Sequence, residues 1–287
     1  MRCWYLSVHL LVALGAVASC NRSVPTAGRD DAGVERIVVA GSTALLPLLT
    51  EAANLFMRTH PRTAVVVEAG GSRIGIKRAL DGSAAIGASD VYADPAVAPR
   101  LVDHQVAITG FAAMANRGSF NEHIESLTRE QLRGIFTGTI RDWAEIGGEP
   151  QAITVINRGK NSGTRMTFGR IVLGGDRFAS GPEQDSSALV LSSLEQTKGA
   201  ICYLALSYGR ASLKVFAVDH VAPTNENVAN GSYPIWSYEH LYTLGPARGA
   251  AGQFIDFILS SEAQRVLVPK NGFTPIGSTR REAGEPR

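Results

Sequence analysis

Residues 36–57 read RIVVAGSTALLPLLTEAANLFM, and the fold is decided where this stretch changes period. Residues 36–40 are a short β-branched run that suits a pleated strand. Gly41-Ser42-Thr43 breaks the run. Leu45, Leu48, Leu49, Ala52, Leu55 and Phe56 then recur at helical spacing through residue 57. The same strand, turn and helix order repeats downstream. Residues 64–67 are a second strand, followed by Gly70-Gly71-Ser72 and a helix through Leu80; residues 84–88 are a third, ending in Ser89-Asp90. A long apolar strand is predicted over 105–115. Thr128-Arg129-Glu130-Gln131 has capping-box spacing and opens a helix toward Phe136. Strands over 153–157 and 200–206 and helices over 162–173, 187–197, 254–259 and 262–268 complete the pattern. This recurrence predicts an α/β fold of mostly parallel sheets, with ligand sites at strand carboxyl ends.

Composition agrees with that class. The chain has 287 residues, 45% hydrophobic and 19% charged, enough for a sizeable core in one large or two small domains. Thirty glycines with only 7% aromatics suit many tight turns better than a helical bundle. The formal charge is +2, and without residues 1–19, which hold Arg2 and no acid, it falls to +1. Near-neutrality argues against a nucleic-acid surface, which needs a basic stripe. It does not exclude a small anion in a cleft.

The amino terminus reads as a targeting segment. Arg2 precedes an apolar run over 9–14, and Val17-Ala18-Ser19-Cys20 resembles the lipobox of bacterial lipoproteins. The expectation is a signal peptide over 1–19, removed to leave Cys20 lipidated; two acyl chains anchor stably where one is marginal. Residues 20–35 are polar and read as a flexible, membrane-anchored linker; residues 281–287 read as a disordered tail. Cys202 lies alone in the apolar segment 200–204 and is expected as a buried thiol without a disulfide.

Four turns share one chemistry. Gly41-Ser42-Thr43, Gly71-Ser72, Ser89-Asp90 and Ser162-Gly163-Thr164 put small hydroxyl or glycine residues where a strand gives way to a helix or turn. The first amides of a helix lack intrahelical partners and the dipole is positive there, so such turns bind anions. Any one of them is explained by ordinary capping; four beside two specific charges point further. Arg158 ends a predicted strand four residues before Ser162, and its planar fork suits an oxyanion. Lys160 in the same loop is read as solvent-facing. Asp90 repels an anion unless the ligand donates a proton to it. Phosphate keeps a P–OH at neutral pH and sulfate has none, so a fixed carboxylate favours the first and opposes the second.

The stretch 37–276 resembles the phosphate-specific substrate-binding proteins of bacterial phosphate ABC importers, the PstS family. The signatures are VVAGSTALLPLL at 38–49, EAGGSRIGIKRAL at 68–80, AAIGASDVYAD at 84–94, LVDHQVAITG at 101–110, LTREQLRGIFTGTIRDWAEIGG at 127–148, VINRGKNSGTRMTF at 155–168, TKGAICYLAL at 197–206 and GSYPIWSYEHLYTLG at 231–245. The resemblance implies a two-lobe type II periplasmic-binding-protein fold with crossover strands near 108–115 and 233–244. Lobe 1 would hold 36–112 and 236–280, and lobe 2 would hold 113–235. It implies phosphate contacts at Thr43, Ala44 (through its amide), Ser72, Asp90, Arg158, Ser162, Gly163 and Thr164. Ser42 and Thr43 are alternatives for one contact, and Arg73, where the family has a small residue, either adds to the site or points outward. The implied ligand is inorganic phosphate, with no cofactor or metal. The implied partners are the permease and ATPase subunits of an importer, at an extracytoplasmic location.

The residues bear on two other classes. A phosphatase would need a nucleophile elbow, a Walker loop or a grouped metal site, and the chain has no such motif. His104 and His240 are expected as packed or surface residues. A sensor or adhesin, or an arsenate binder, would keep the fold and the site.

Overall fold

The signal segment, Cys20 and the tail fall outside the residues described by the structure, a computed structural model that covers 27–29 and 33–277. The short strand β1 (Ala27–Arg29) pairs antiparallel with β2 (Glu35–Gly41), so part of the stretch read as a linker is joined to the sheet. β2 leads into α1 (Leu46–Thr59), whose apolar periodicity turns Leu48, Leu49, Ala52, Ala53 and Phe56 to the core. β3 (Thr63–Ala69) and β4 (Ile86–Ser89) both run parallel to β2, with α2 (Ser72–Leu80) between them in the chain. The long strand β5 (Leu101–Asn116) then carries the chain away.

The second half begins with β6 (Ser126–Leu127) and α3 (Arg129–Thr137). The capping box expected at Thr128 is present, and Gly138 closes α3 in the left-handed region at φ 83°. Next come β7 (Thr154–Val155), β8 (Asn157–Arg158), α4 (Gly163–Phe168) with a π-helical extension over Gly169–Leu173, and β9 (Glu183–Gln184). α5 (Ser187–Gln196), β10 (Ala200–Ala205), β11 (Leu213–Val215), β12 (Ala217–Val218) and α6 (Asn225–Ala229) follow. β13 (Trp236–Leu244) and α7 (Gly249–Leu259) return the chain to the first half.

β5 joins the two halves. It pairs antiparallel with β13 from Leu101 to Gly110, and with β10 from Phe111 to Ala115, so it changes partner at Gly110/Phe111. β13 lies between β5 and β4, antiparallel to both. The expectation of mostly parallel sheets is therefore corrected to a mixed one. Strands that leave a lobe and return to it run against their neighbours, whereas the strand–helix–strand units β2, β3 and β4 stay parallel. The strand expected over 153–157 also divides: β7 pairs parallel with β10, whereas β8 pairs with β9. That break at Ile156 carries Arg158 off the main sheet.

Each lobe has its own core. In lobe 1, α1 and α7 pack Phe56, Phe254 and Ile258 against Ile37 and Val39 of the sheet. In lobe 2 the core is aromatic: Phe168 stacks on Tyr203 at 4.6 Å, Phe136 meets both edge-on, and the buried Trp143 donates its indole N–H to the Gly199 carbonyl at 3.1 Å. Cys202 is a buried free thiol of β10.

α2 sits on the sheet through Gly75, where an added Cβ would lie 2.4 Å from the Ala88 carbonyl oxygen and 2.7 Å from that of Ala40. Both are backbone atoms that cannot swing aside. Gly75→Ala is expected to destabilise the protein by about 1–3 kcal/mol, read as a lower midpoint in chemical denaturation.

Candidate anion-binding site

Four helix starts converge between the lobes. Before α1, the Ser42 hydroxyl accepts the amides of Ala44 and Leu45 at 3.1 and 3.3 Å. Ser72 is the first residue of α2, Ser162 caps α4 by accepting the Arg165 amide at 3.2 Å, and Ser187 opens α5 behind its cap Ser186. All four therefore aim positive dipole ends and hydroxyls at one region.

Arg158 is the centre of this cluster and only 1% exposed. Its backbone amide donates to the Tyr203 hydroxyl at 3.2 Å, so the aromatic core of lobe 2 fixes the strand that presents it. The guanidinium reaches across the cleft: Nη2 donates to Thr43 Oγ1 at 2.8 Å, and Nη1 donates to Ser187 Oγ at 3.0 Å and, weakly, to Thr164 Oγ1 at 3.5 Å. Nε is buried with no hydrogen-bond partner. Burial pulls the Arg158 pKa down and the Asp90 charge opposes it; an arginine remains a cation under such shifts.

Asp90 closes the end of β4, 2% exposed. Its carboxylate accepts the Ser42 hydroxyl on Oδ1 and the Thr164 hydroxyl on Oδ2, the latter at 2.8 Å. Its amide donates to Ser72 Oγ at 3.0 Å, and its carbonyl accepts the Ser237 hydroxyl at 2.8 Å. Thr164 thus lies between the acid of one lobe and the guanidinium of the other. Further contacts hold the lobes together: Ser187 N to Thr43 Oγ1 at 3.2 Å, Arg73 N to the Asn161 carbonyl at 3.2 Å, and the Tyr208 hydroxyl to the Thr43 carbonyl at 2.7 Å. A cavity of about 360 Å³ adjoins the cluster, lined by Gly70, Asn161, Ser162, Asp185 and Ser186 among others.

The structure brings Ser42, Thr43, Ala44, Ser72, Asp90, Arg158, Ser162, Gly163 and Thr164 into one buried region. Ser42 bonds Asp90, and Thr43 bonds Arg158. Lys160 is exposed, and Arg73 points outward, its Nε 3.3 Å from Met166 Sδ on the other lobe. His104 and His240 bond Thr243 and Asp103 away from this cluster. Sequence reasoning missed Ser187, Tyr208 and Glu239. Ser186-Ser187 carried the same hydroxyl-at-a-helix-start signal as the turns that were singled out; Tyr208 and Glu239 carried none.

A profile of the PBP superfamily domain matches residues 26–262. The phosphate-binding protein PstS of Bacillus subtilis is 41% identical over 244 residues, spanning 84% of this chain and 80% of the relative. That of Borreliella burgdorferi is 28% identical over 261 residues, 84% of this chain and 91% of the relative. A solved structure from Clostridium perfringens, described as a phosphate ABC transporter substrate-binding protein with bound phosphate, superposes with a TM-score of 0.78 at 30% identity, covering 84% of this chain and 99% of that one. The fold is thus that of a two-lobe type II periplasmic binding protein. Within that class the chain belongs to the PstS family.

Gly163 is one point where the lobes approach closely. A Cβ there would lie 2.3 Å from Ser72 Oγ and 2.9 Å from the Asp90 Cβ, both on the opposite lobe. Gly163→Ala is expected to hold the cleft open while leaving each lobe folded, seen as a larger radius of gyration in solution scattering. Superimposable scattering curves would show that this contact does not limit closure.

Proposed function

We propose that the chain binds inorganic phosphate between its lobes, outside the cytoplasmic membrane, and delivers it to the permease and ATPase subunits of an ABC-type importer. A lipid on Cys20 holds it at the membrane. One observation carries the reading: an acid, Asp90, and a guanidinium, Arg158, are buried in the same hydroxyl cluster from opposite lobes. The family consists of substrate-binding proteins of transporters rather than enzymes, and its members take phosphate as ligand without a cofactor.

In this reading the ligand's P–OH donates to Asp90. Its remaining oxygens accept from Arg158, from the hydroxyls of Thr43, Ser72 and Ser162, and from the amides of Ala44, Gly163 and Thr164. The first lobe is 36–112 with 236–280 and the second is 113–235, so the anion completes its hydrogen bonds only when both lobes close on it. Charge-assisted hydrogen bonds contribute about 1.5–3 kcal/mol each. Several of them, less the cost of closure and ordering, reach about micromolar affinity or tighter.

Isothermal calorimetry with phosphate, sulfate and arsenate tests the reading. Arg158→Ala is expected to weaken phosphate binding by about 1.5–3 kcal/mol or more, because the anion loses a charged donor; an unchanged affinity would remove Arg158 from the site. Asp90→Asn is expected to erode the preference for phosphate over sulfate more than the phosphate affinity itself. A variant that still rejects sulfate as the parent does would end the account of Asp90 as the group that detects the ligand's proton. Arsenate retains its proton and is expected to compete.

A further inference from the structure

Behind Asp90 lies a second acid that the phosphate reading does not use. The antiparallel register pairs His240 of β13 with Ser89 of β4, which brings the preceding Glu239 opposite Asp90. Glu239 is 0% exposed, and neither of its carboxyl oxygens has a hydrogen-bond donor. Its carboxyl and that of Asp90 are therefore neighbours at the buried end of β4, where the charge of Asp90 acts on Glu239. Two ionised carboxylates cannot bond each other, and a buried, unpaired carboxylate is among the costliest groups a protein can hold. One proton shared by the pair removes both difficulties. The proton belongs on Glu239, because Asp90 already accepts two hydroxyls and faces Arg158, whereas Glu239 has no other partner.

We propose that Glu239 is a neutral carboxylic acid that donates its O–H to Asp90 and positions it as the single charged acceptor of the site, an inference that rests on the phosphate-binding reading above. A carboxylate offers about four acceptor positions. Ser42, Thr164 and Glu239 fill three, which leaves one for a ligand's P–OH. Glu239 is thereby a positioning residue for specificity.

The surroundings agree. Burial is the largest influence holding the Glu239 proton well above the ordinary carboxylate range, and the charge and contact of Asp90 add to it. Across from Glu239, β5 presents Ala107. The cations of α2, which also packs on β13, are engaged elsewhere: Arg73 with Met166, Lys77 with Asp81 and Arg78 with Glu68. The adjoining His240 is bonded to Asp103, and the charge of Asp90 acts on Arg158 and Tyr208.

Two measurements on the folded chain test this, using Glu239→Gln, which keeps a neutral donor, and Glu239→Leu, which keeps bulk and removes it. The first follows thermal unfolding of wild type and Glu239→Gln without ligand from about pH 5 to about pH 9. A raised pKa means that folding takes up a proton. The stability Glu239 contributes is therefore complete below the ordinary glutamate range and is lost as pH rises above it. Glutamine does not titrate, so wild type is expected to melt progressively lower than the variant as pH increases. Melting curves that stay parallel across the range would overturn the proposal. In the second, phosphate calorimetry at neutral pH is expected to show Glu239→Gln binding at least about tenfold tighter than Glu239→Leu, the factor a lost hydrogen bond gives. Equal affinities for the two variants would also overturn it. If wild type binds no phosphate, the functional reading fails on its own, and the unfolding comparison still decides where the proton resides.

Discussion

A guanidinium buried between two lobes is the constraint on which the rest of the site depends. Moving a charge out of water costs several kcal/mol unless partners replace its hydration. Among the described residues no carboxylate is bonded to Arg158; it is surrounded instead by the hydroxyls of Thr43, Thr164 and Ser187, with Asp90 acting through Thr164. Neutral hydroxyls solvate the cation without neutralising it. The positive charge therefore remains available to an anion, which a direct Arg–Asp salt bridge would have cancelled.

That arrangement needs both lobes, and the backbone is shaped to let them meet. Gly71 adopts φ 85°, where an added Cβ would lie 2.6 Å from the Asn161 carbonyl oxygen, and Gly163 faces Ser72 and Asp90 at similar range. The two contacts flank the site on opposite lobes, so a side chain at either would wedge the cleft apart. Behind them, the change of partner along β5 and its pairing with β13 make the connection between lobes a pair of strands rather than a packed interface. A connection of that kind permits rotation while the cores on each side stay intact.

Local signals were legible in the sequence and non-local ones were not. The α1 periodicity, the Thr128 capping box and the hydroxyl-rich turns each depend on residues within one or two helical turns, and each appears where the sequence placed it. The direction of β13, the division of residues 153–157 between two sheets and the pairing of Ala27–Arg29 with β2 depend on strands far away in the chain. Glu239 illustrates the limit most clearly. In sequence it is an acid in an apolar strand beside a histidine, and only the register of β13 against β4 reveals that it faces Asp90. The nine residues that motif resemblance singled out do meet, because a motif carries non-local information that hydrophobic periodicity lacks.

Selectivity in such a site follows from unequal numbers of donors and acceptors. Helix-start amides, serine and threonine hydroxyls and Arg158 together offer many donors, and a deprotonated tetrahedral oxyanion can use them all. In the phosphate reading Asp90 is the charged acceptor that faces them, so a ligand that cannot donate leaves a carboxylate pressed against its own negative oxygen in a space closed to water. Repulsion of that kind is large where the dielectric is low. A ligand with one proton converts the same contact into a charge-assisted hydrogen bond. The discrimination thus comes mainly from the penalty on the wrong anion, and it grows with how completely the lobes exclude water. The lobes' close approach at Gly71 and Gly163 and the burial of Asp90 are therefore parts of one device.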